Sequence, residues 1–411
     1  MNPVSSLPAI VALSVAMATA RTISRWVGAP SVQGRFSSID GLRGYLAFFV
    51  FLHHSSIWYF YLRTGRWAVP PSNLYTNFGQ GSVALFFMIT GFLFFSKLVD
   101  GRTKGIDWGR LFVSRFLRLV PLYLFVMLVL FSIVTVVSHG ALNEPLPKLL
   151  RSVAHWLTFT VDDAPDLNGV AHTSIIVAGV TWSLAYEWFF YCSLPLLALA
   201  VGVVPPVPYL LLGAGSVFAA LMFDPHVFDM HAFLGGIGAS LAARSGAFRR
   251  FAVGNAATVV ALSCMIVATT TFRSAYGFLP LLLLTLAFSI VAGGNSILGV
   301  LNRPFSRILG EMAYSIYLLH GILLFTTMTF VIGPTAAREL SPAMHWTLIV
   351  GLSPVLILAS YCTFRFIERP VMQRTNSLTQ WVRSLLPVRA HVPAEDHSQG
   401  SAFRKPTPPV D

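Results

Sequence analysis

An all-α, polytopic integral membrane protein of about ten transmembrane helices is the fold class this sequence predicts, on three observations. Hydrophobic residues make up 55% of the 411 and charged residues only 11%. Apolar runs near twenty residues, the length needed to cross a bilayer core, recur along the chain. The basic residues gather at alternate connections between these runs rather than on one face. The formal charge of +12 is therefore a signal of topology and not of nucleic-acid binding.

The runs fall at 41–62, 79–98, 115–138, 180–203, 207–223, 228–244, 252–271, 276–293, 312–333 and 345–367. Together they make residues 37–371 one transmembrane domain in the lipid bilayer. Residues 1–36 read as an N-terminal cytoplasmic or interfacial segment. Their stretch 7–20 is apolar but short, and no Lys or Arg precedes it, so it makes a poor signal peptide. Residues 372–411 are polar and Pro-rich toward Lys405, which reads as a solvated, disordered cytoplasmic tail. Arg21 and Arg25 precede the first run, and Lys97 to Arg118 surround the second connection. Arg244, Arg249 and Arg250 follow the sixth run. Arg43 lies inside its helix, and only Arg63, Arg66, Lys148, Arg151, Arg273 and Arg338 of the 28 basic residues fall on opposite-side connections. Under the positive-inside rule both termini are cytoplasmic. The three cysteines, Cys192, Cys264 and Cys362, sit far apart inside runs and show neither a disulfide framework nor zinc spacing. No metal site is expected. The long connection 139–179 has room for a short surface helix over Lys148–Thr160.

Ionisable residues inside a span are costly and are functional candidates by default. Arg43 and His54 are eleven positions apart in the first run, which turns a helix by roughly 20° net. Both lie on one face, about 16 Å apart along the axis. Asp40 falls within about 40° of the same line. Glu187, in Thr181-Trp-Ser-Leu-Ala-Tyr-Glu187, is placed about two turns below the outer surface, the depth read for His54. His320, in Tyr314-Ser-Ile-Tyr-Leu-Leu-His320, is placed nearer the cytoplasmic side and reads equally well as a packing residue. Arg115 and Arg118 share one helical face at the inner mouth of the third run.

These segments resemble the membrane acyltransferase-3 family. Asp40-Gly-Leu-Arg43-Gly with His54 is similar to its opening element. Gly81-Ser-Val-Ala-Leu-Phe-Phe-Met-Ile-Thr90-Gly91-Phe resembles its second, with Thr90 where Ser is usual. Arg115-Phe-Leu-Arg118-Leu-Val-Pro121 resembles the third, and Thr181-Trp-Ser-Leu184 with Glu187 and Tyr191 the fourth. Ser315-Ile-Tyr-Leu-Leu-His320 and Glu368-Arg369-Pro370 resemble the two closing elements. The likeness covers about residues 37–371, with six motifs in order.

The resemblance implies an acyl-CoA co-substrate, usually acetyl-CoA, and a hydroxyl acceptor on a cell-surface glycan or similar molecule. The implied setting is the bacterial inner membrane. The expected chemistry has His54 as base, with Glu187 orienting its imidazole. Ser183, Trp182 or Tyr317 would donate to the oxyanion. Arg43, Arg115 and Arg118, with Asp40 beside them, would hold donor phosphates. His320 is a further substrate-binding candidate. The competing class is a secondary transporter or lipid-linked glycan flippase, in which His54, Glu187 and His320 form a relay. Against it, the sequence shows no repeated halves.

Overall fold

The computed structural model describes residues 2–28, 36–161, 164–223 and 231–385. Its helices are α1 (Ser6–Val27), α2 (Ser37–Thr64), α3 (Asn73–Lys104), α4 (Trp108–Val137), α5 (Leu146–Leu157) and α6 (Trp182–Ala200). They continue as α7 (Val207–Phe223), α8 (His231–Ala242), α9 (Gly246–Ala252), α10 (Asn255–Thr271), α11 (Phe278–Ala292) and α12 (Pro304–Glu311). The last are α13 (Ala313–Thr326), α14 (Pro334–Glu339), α15 (Pro342–Thr363), α16 (Arg369–Gln373) and α17 (Thr375–Leu385). No strand occurs among the described residues, only an isolated bridge between Leu167 and Val170.

Six helical runs are long and apolar enough to cross a bilayer: α1, α3, α4, α6, Ala313–Val331 and Pro342–Gln373. A seventh is the pair α9 and α10, taken as one span bent by 77°. Four of the ten expected runs fall outside this set. Helix α2 spans 28 residues, but Asp40, Arg43, His53 and His54 dilute its apolar character. The runs 207–223, 228–244 and 276–293 form helices of 17, 12 and 15 residues, short of the roughly twenty a simple span needs. The first residues of the 228–244 run lie outside the described residues.

Helix α1 is the addition. The apolar stretch read at 7–20 continues to Val27 as one helix of 22 residues. Ala9, Ala12, Ala16 and Ala20 recur at helical spacing and are buried where α1 packs on α12 and α15. The start of α1 is tied down by Tyr75, whose hydroxyl donates to Ser5 O at 2.8 Å, and by Trp346, whose Nε1 donates to Pro3 O at 2.8 Å. At the other end, α17 is a helix rather than a solvated tail. It packs on α4, and Arg383 pairs with Asp107 at 2.6 Å. Residues 386–411 of the expected tail lie outside the described residues. The surface helix expected in the 139–179 connection is α5.

Helix α2 is the hub, buried almost continuously from Gly41 to Tyr59 by α3, α12 and α13. Glycine lets backbones meet here. A Cβ at Gly41 or Gly44 would strike Leu301 or Leu309, and one at Gly310 would strike the Asp40 carbonyl. Gly44 and Gly310 therefore let α12 close on α2, and Gly41 admits the turn at Val300–Asn302 that leads into it.

Candidate active site

Arg43 faces a cavity of about 90 Å³ lined by α2, α3, α4, α6 and α13. Its polar lining comprises Arg43, Thr90, Arg115, Arg118, Ser183 and Glu187, with Tyr191, Tyr314 and Tyr317. The Tyr191 hydroxyl donates to the Glu187 carboxylate. Glu187 and Arg118 are both within electrostatic reach of Arg43. Asp40 is exposed and outside the lining, but close enough to feel Arg43 and Arg118. The Arg115 guanidinium lies 5.2 Å from the centroid of the Phe94 ring.

Arg118 is held on several sides. It pairs with Glu368 at 3.4 Å and donates to Glu311 O at 3.4 Å and to Met372 Sδ at 3.3 Å. A π-helical segment at Phe364–Glu368 joins α15 to α16 and carries the Glu368 carboxylate to both Arg118 and the Ser315 hydroxyl. Thr363 in turn donates to Ser315 Oγ at 2.9 Å.

On the α6 and α13 side, Ser183 Oγ and Tyr317 Oη are 2.7 Å apart. They lie 3.1 and 3.2 Å from Val180 O. Gly321 makes this possible, because a Cβ there would strike the Val177–Ala178 backbone that leads into α6. Trp182 falls outside the lining, with its ring edge-on to Phe87 and Tyr186 at 6.2 and 5.6 Å. Its indole thus packs the α3–α6 contact rather than facing the cavity.

The histidines lie beyond Tyr317, whose ring is 6.2 Å from that of His320. His320 Nε2 is 3.0 Å from His54 Nδ1. His320 therefore shares the layer of His54 and is not displaced toward the α3–α4 end. Depths counted from opposite helix ends carry boundary errors larger than the separation being judged. Glu187 is bonded to Tyr191, while His54 is bonded to Val50 and His320. The expected Glu187–His54 hydrogen bond is thus replaced by a His320–His54 one. Equal depth does not decide which way α6 is rotated.

The contacts also decide the tautomers. A carbonyl only accepts, so a ring nitrogen facing one carries the hydrogen. His54 Nδ1 is 3.0 Å from Val50 O, and His320 Nδ1 is 3.2 Å from Ile316 O. Both neutral rings are therefore Nδ1–H forms, and His320 Nε2 is an acceptor. His54 Nδ1–H is shared between Val50 O and His320 Nε2. This leaves the lone pair of His54 Nε2 free of any hydrogen bond among the described residues. His53 is turned the other way, with Nδ1 2.7 Å from Tyr75 O and its ring against Gly79. It ties α2 to α3.

Comparison with known proteins agrees with the sequence motifs. The acyltransferase domain model Acyl_transf_3 matches residues 36–365. The acyltransferase MdmB of Streptomyces mycarofaciens is 26% identical over 381 residues, covering 82% of this chain and 92% of that protein. No solved structure matches the chain. The protein belongs to the acyltransferase-3 family.

Proposed function

We propose that this acyltransferase moves an acyl group, acetyl in the simplest case, from acyl-CoA to a hydroxyl of a cell-surface glycan or similar acceptor, with His54 as base. The observation that carries the reading is the free Nε2 lone pair of His54, whose ring is held by His320 just beyond Tyr317, the cavity residue nearest the histidines. In the step, the acceptor hydroxyl gives its proton to His54 Nε2 as its oxygen attacks the thioester carbon. The imidazolium that forms keeps its Nδ1–H on Val50 O and His320 Nε2, as the orienting group of a triad would. The tetrahedral oxyanion accepts from the Ser183–Tyr317 hydroxyl pair, turned away from Val180 O. Collapse breaks the carbon–sulfur bond, and the imidazolium proton goes to the departing thiolate.

Arg43 lies near one helix end and His54 about 16 Å along the axis. In this reading the donor enters at the α3–α4 end, the cytoplasmic side, and the acceptor reaches His54 from the opposite side. The bacterial inner-membrane setting is the one the family resemblance implies. The test is turnover of labelled acetyl-CoA by purified protein in detergent, joined to mass spectrometry of surface glycans from a deletion strain and its complement. Acetyl release that needs an acceptor, and acetyl esters that vanish on deletion, are expected. Solute uptake without turnover of any acyl-CoA would replace this reading with a transport one.

A further inference from the structure

Cations that the cavity does not use line a second, open groove. It lies between the end of α3, the start of α4 and the α16–α17 segment, with a volume of about 550 Å³. That is within the roughly 300–1,000 Å³ typical of ligand sites. Lys97 and Arg110 line it, with hydroxyl and amide groups from Ser114, Thr375 and Asn376. Its one carboxylate, Asp107, is already engaged. It accepts from the Arg110 backbone N–H at 3.0 Å and pairs with Arg383 at 2.6 Å. Lys97 and Arg110 take no part in the ion pairs of the described residues. Lys97 lies within electrostatic reach of Arg110 and Arg115. Two cations outside those ion pairs, beside a carboxylate already engaged by Arg383, make a standing anion site.

The groove adjoins the cavity along two helices. On α3, Lys97 follows the cavity residue Leu93 by one turn. On α4, Ser114 precedes Arg115, and Arg110 precedes it by five positions. Arg118, by contrast, is matched by Glu368, so the cavity arginines are the poorer candidates for an added polyanion. We propose that this groove takes the phosphorylated nucleotide end of the acyl donor, with Lys97 and Arg110 on its phosphates. The pantetheine arm then runs past Arg115 into the cavity. This rests on the acyl-CoA reading above. It makes α17 a wall of the donor site.

The experiment compares two donors on purified full-length protein in detergent, acetyl-CoA and acetyl-pantetheine, which lacks the nucleotide. The variants are Lys97→Ala with Arg110→Ala, and Lys97→Glu alone. For acetyl-CoA, KM should rise about 10- to 100-fold, the scale of a lost charge-assisted hydrogen bond. For acetyl-pantetheine, kcat and KM should stay at the wild-type value. Thermal unfolding should show that adenosine 3′,5′-bisphosphate stabilises wild type but not the variants. An unchanged acetyl-CoA KM, or equal losses with both donors, would overturn the groove assignment and leave the acyl-CoA reading standing. Wild-type protein that uses neither thioester would remove both.

Discussion

At one end of the site Arg118 is locked to Glu368 and Arg43 lies near Glu187, so positive and negative charge are both present at rest. At the other end His54 is bonded to a carbonyl and a neutral imidazole, and among the hydrogen bonds of the described residues no carboxylate reaches it. The first region holds standing charge in balance, which suits a fixed polar wall rather than the capture of an added polyanion. The second carries charge only while a proton is in transit, which suits a base whose resting form must be neutral. Buried charge is tolerated where it is paired. A base can be buried because it starts uncharged.

The largest effect expected from breaking this contrast is at the ion pair. Glu368 is 1% exposed, so Arg118→Ala would strand a buried carboxylate at a cost of about 3–5 kcal/mol. Arg118→Met with Glu368→Leu should recover much of that in denaturant unfolding in detergent. A single mutant that unfolds like wild type would show that the pair balances nothing.

Next comes the imidazole partner. His320→Leu removes the acceptor for His54 Nδ1–H and should lower kcat about 10- to 100-fold, with KM for the donor unchanged. His320→Gln keeps an acceptor oxygen and should restore most of the rate. Equal losses from Leu and Gln would reduce His320 to packing.

Glu187→Gln should have a smaller effect, a few-fold on rate through the field at Arg43. Because Glu187 is bonded to Tyr191 rather than His54, the pH midpoint of the rate should not move. A shifted midpoint would join Glu187 to the base after all.

The smallest effect belongs to α17. Arg383→Ala should cost under about 1 kcal/mol, as exposed ion pairs do. Partial burial pushes the Asp107 carboxyl up, but the Arg110 N–H and the Arg383 guanidinium outweigh it and hold it below its ordinary value of 3.8. A depressed carboxyl stabilises the folded state above its unfolded value, and that contribution is lost as pH falls through the folded one. Docking of α17, followed by proteolysis at its linker, should therefore be flat above about pH 5 and weaken only below about pH 4.

What was legible beforehand follows the range of the interaction. The Arg43–His54 line lies within one helix, so the helical period alone puts both on α2. The helical class and most long runs follow from local hydropathy in the same way. The Arg118–Glu368 pair, 250 positions apart in the chain, and the His54–His320 contact depend on how α13 and α15 are rotated against their neighbours. Glu368 was visible only as part of Glu-Arg-Pro, with nothing to name its partner. Hydropathy understates helix length where polar residues continue a helix. Arg21 and Arg25 extend α1 past its apolar stretch, and α17 is held by a surface pair and an amphipathic face rather than by apolar content.

The most direct measurement is labelled acetyl transfer by two neighbouring variants, His54→Ala and His53→Ala, matched for expression and thermal unfolding. Loss of the His54 base should cut kcat by about 10²- to 10⁴-fold or more. His53→Ala removes a tie between α2 and α3 and should leave kcat within a few-fold of wild type. An active His54→Ala enzyme beside a dead His53→Ala one would contradict the assignment of the base.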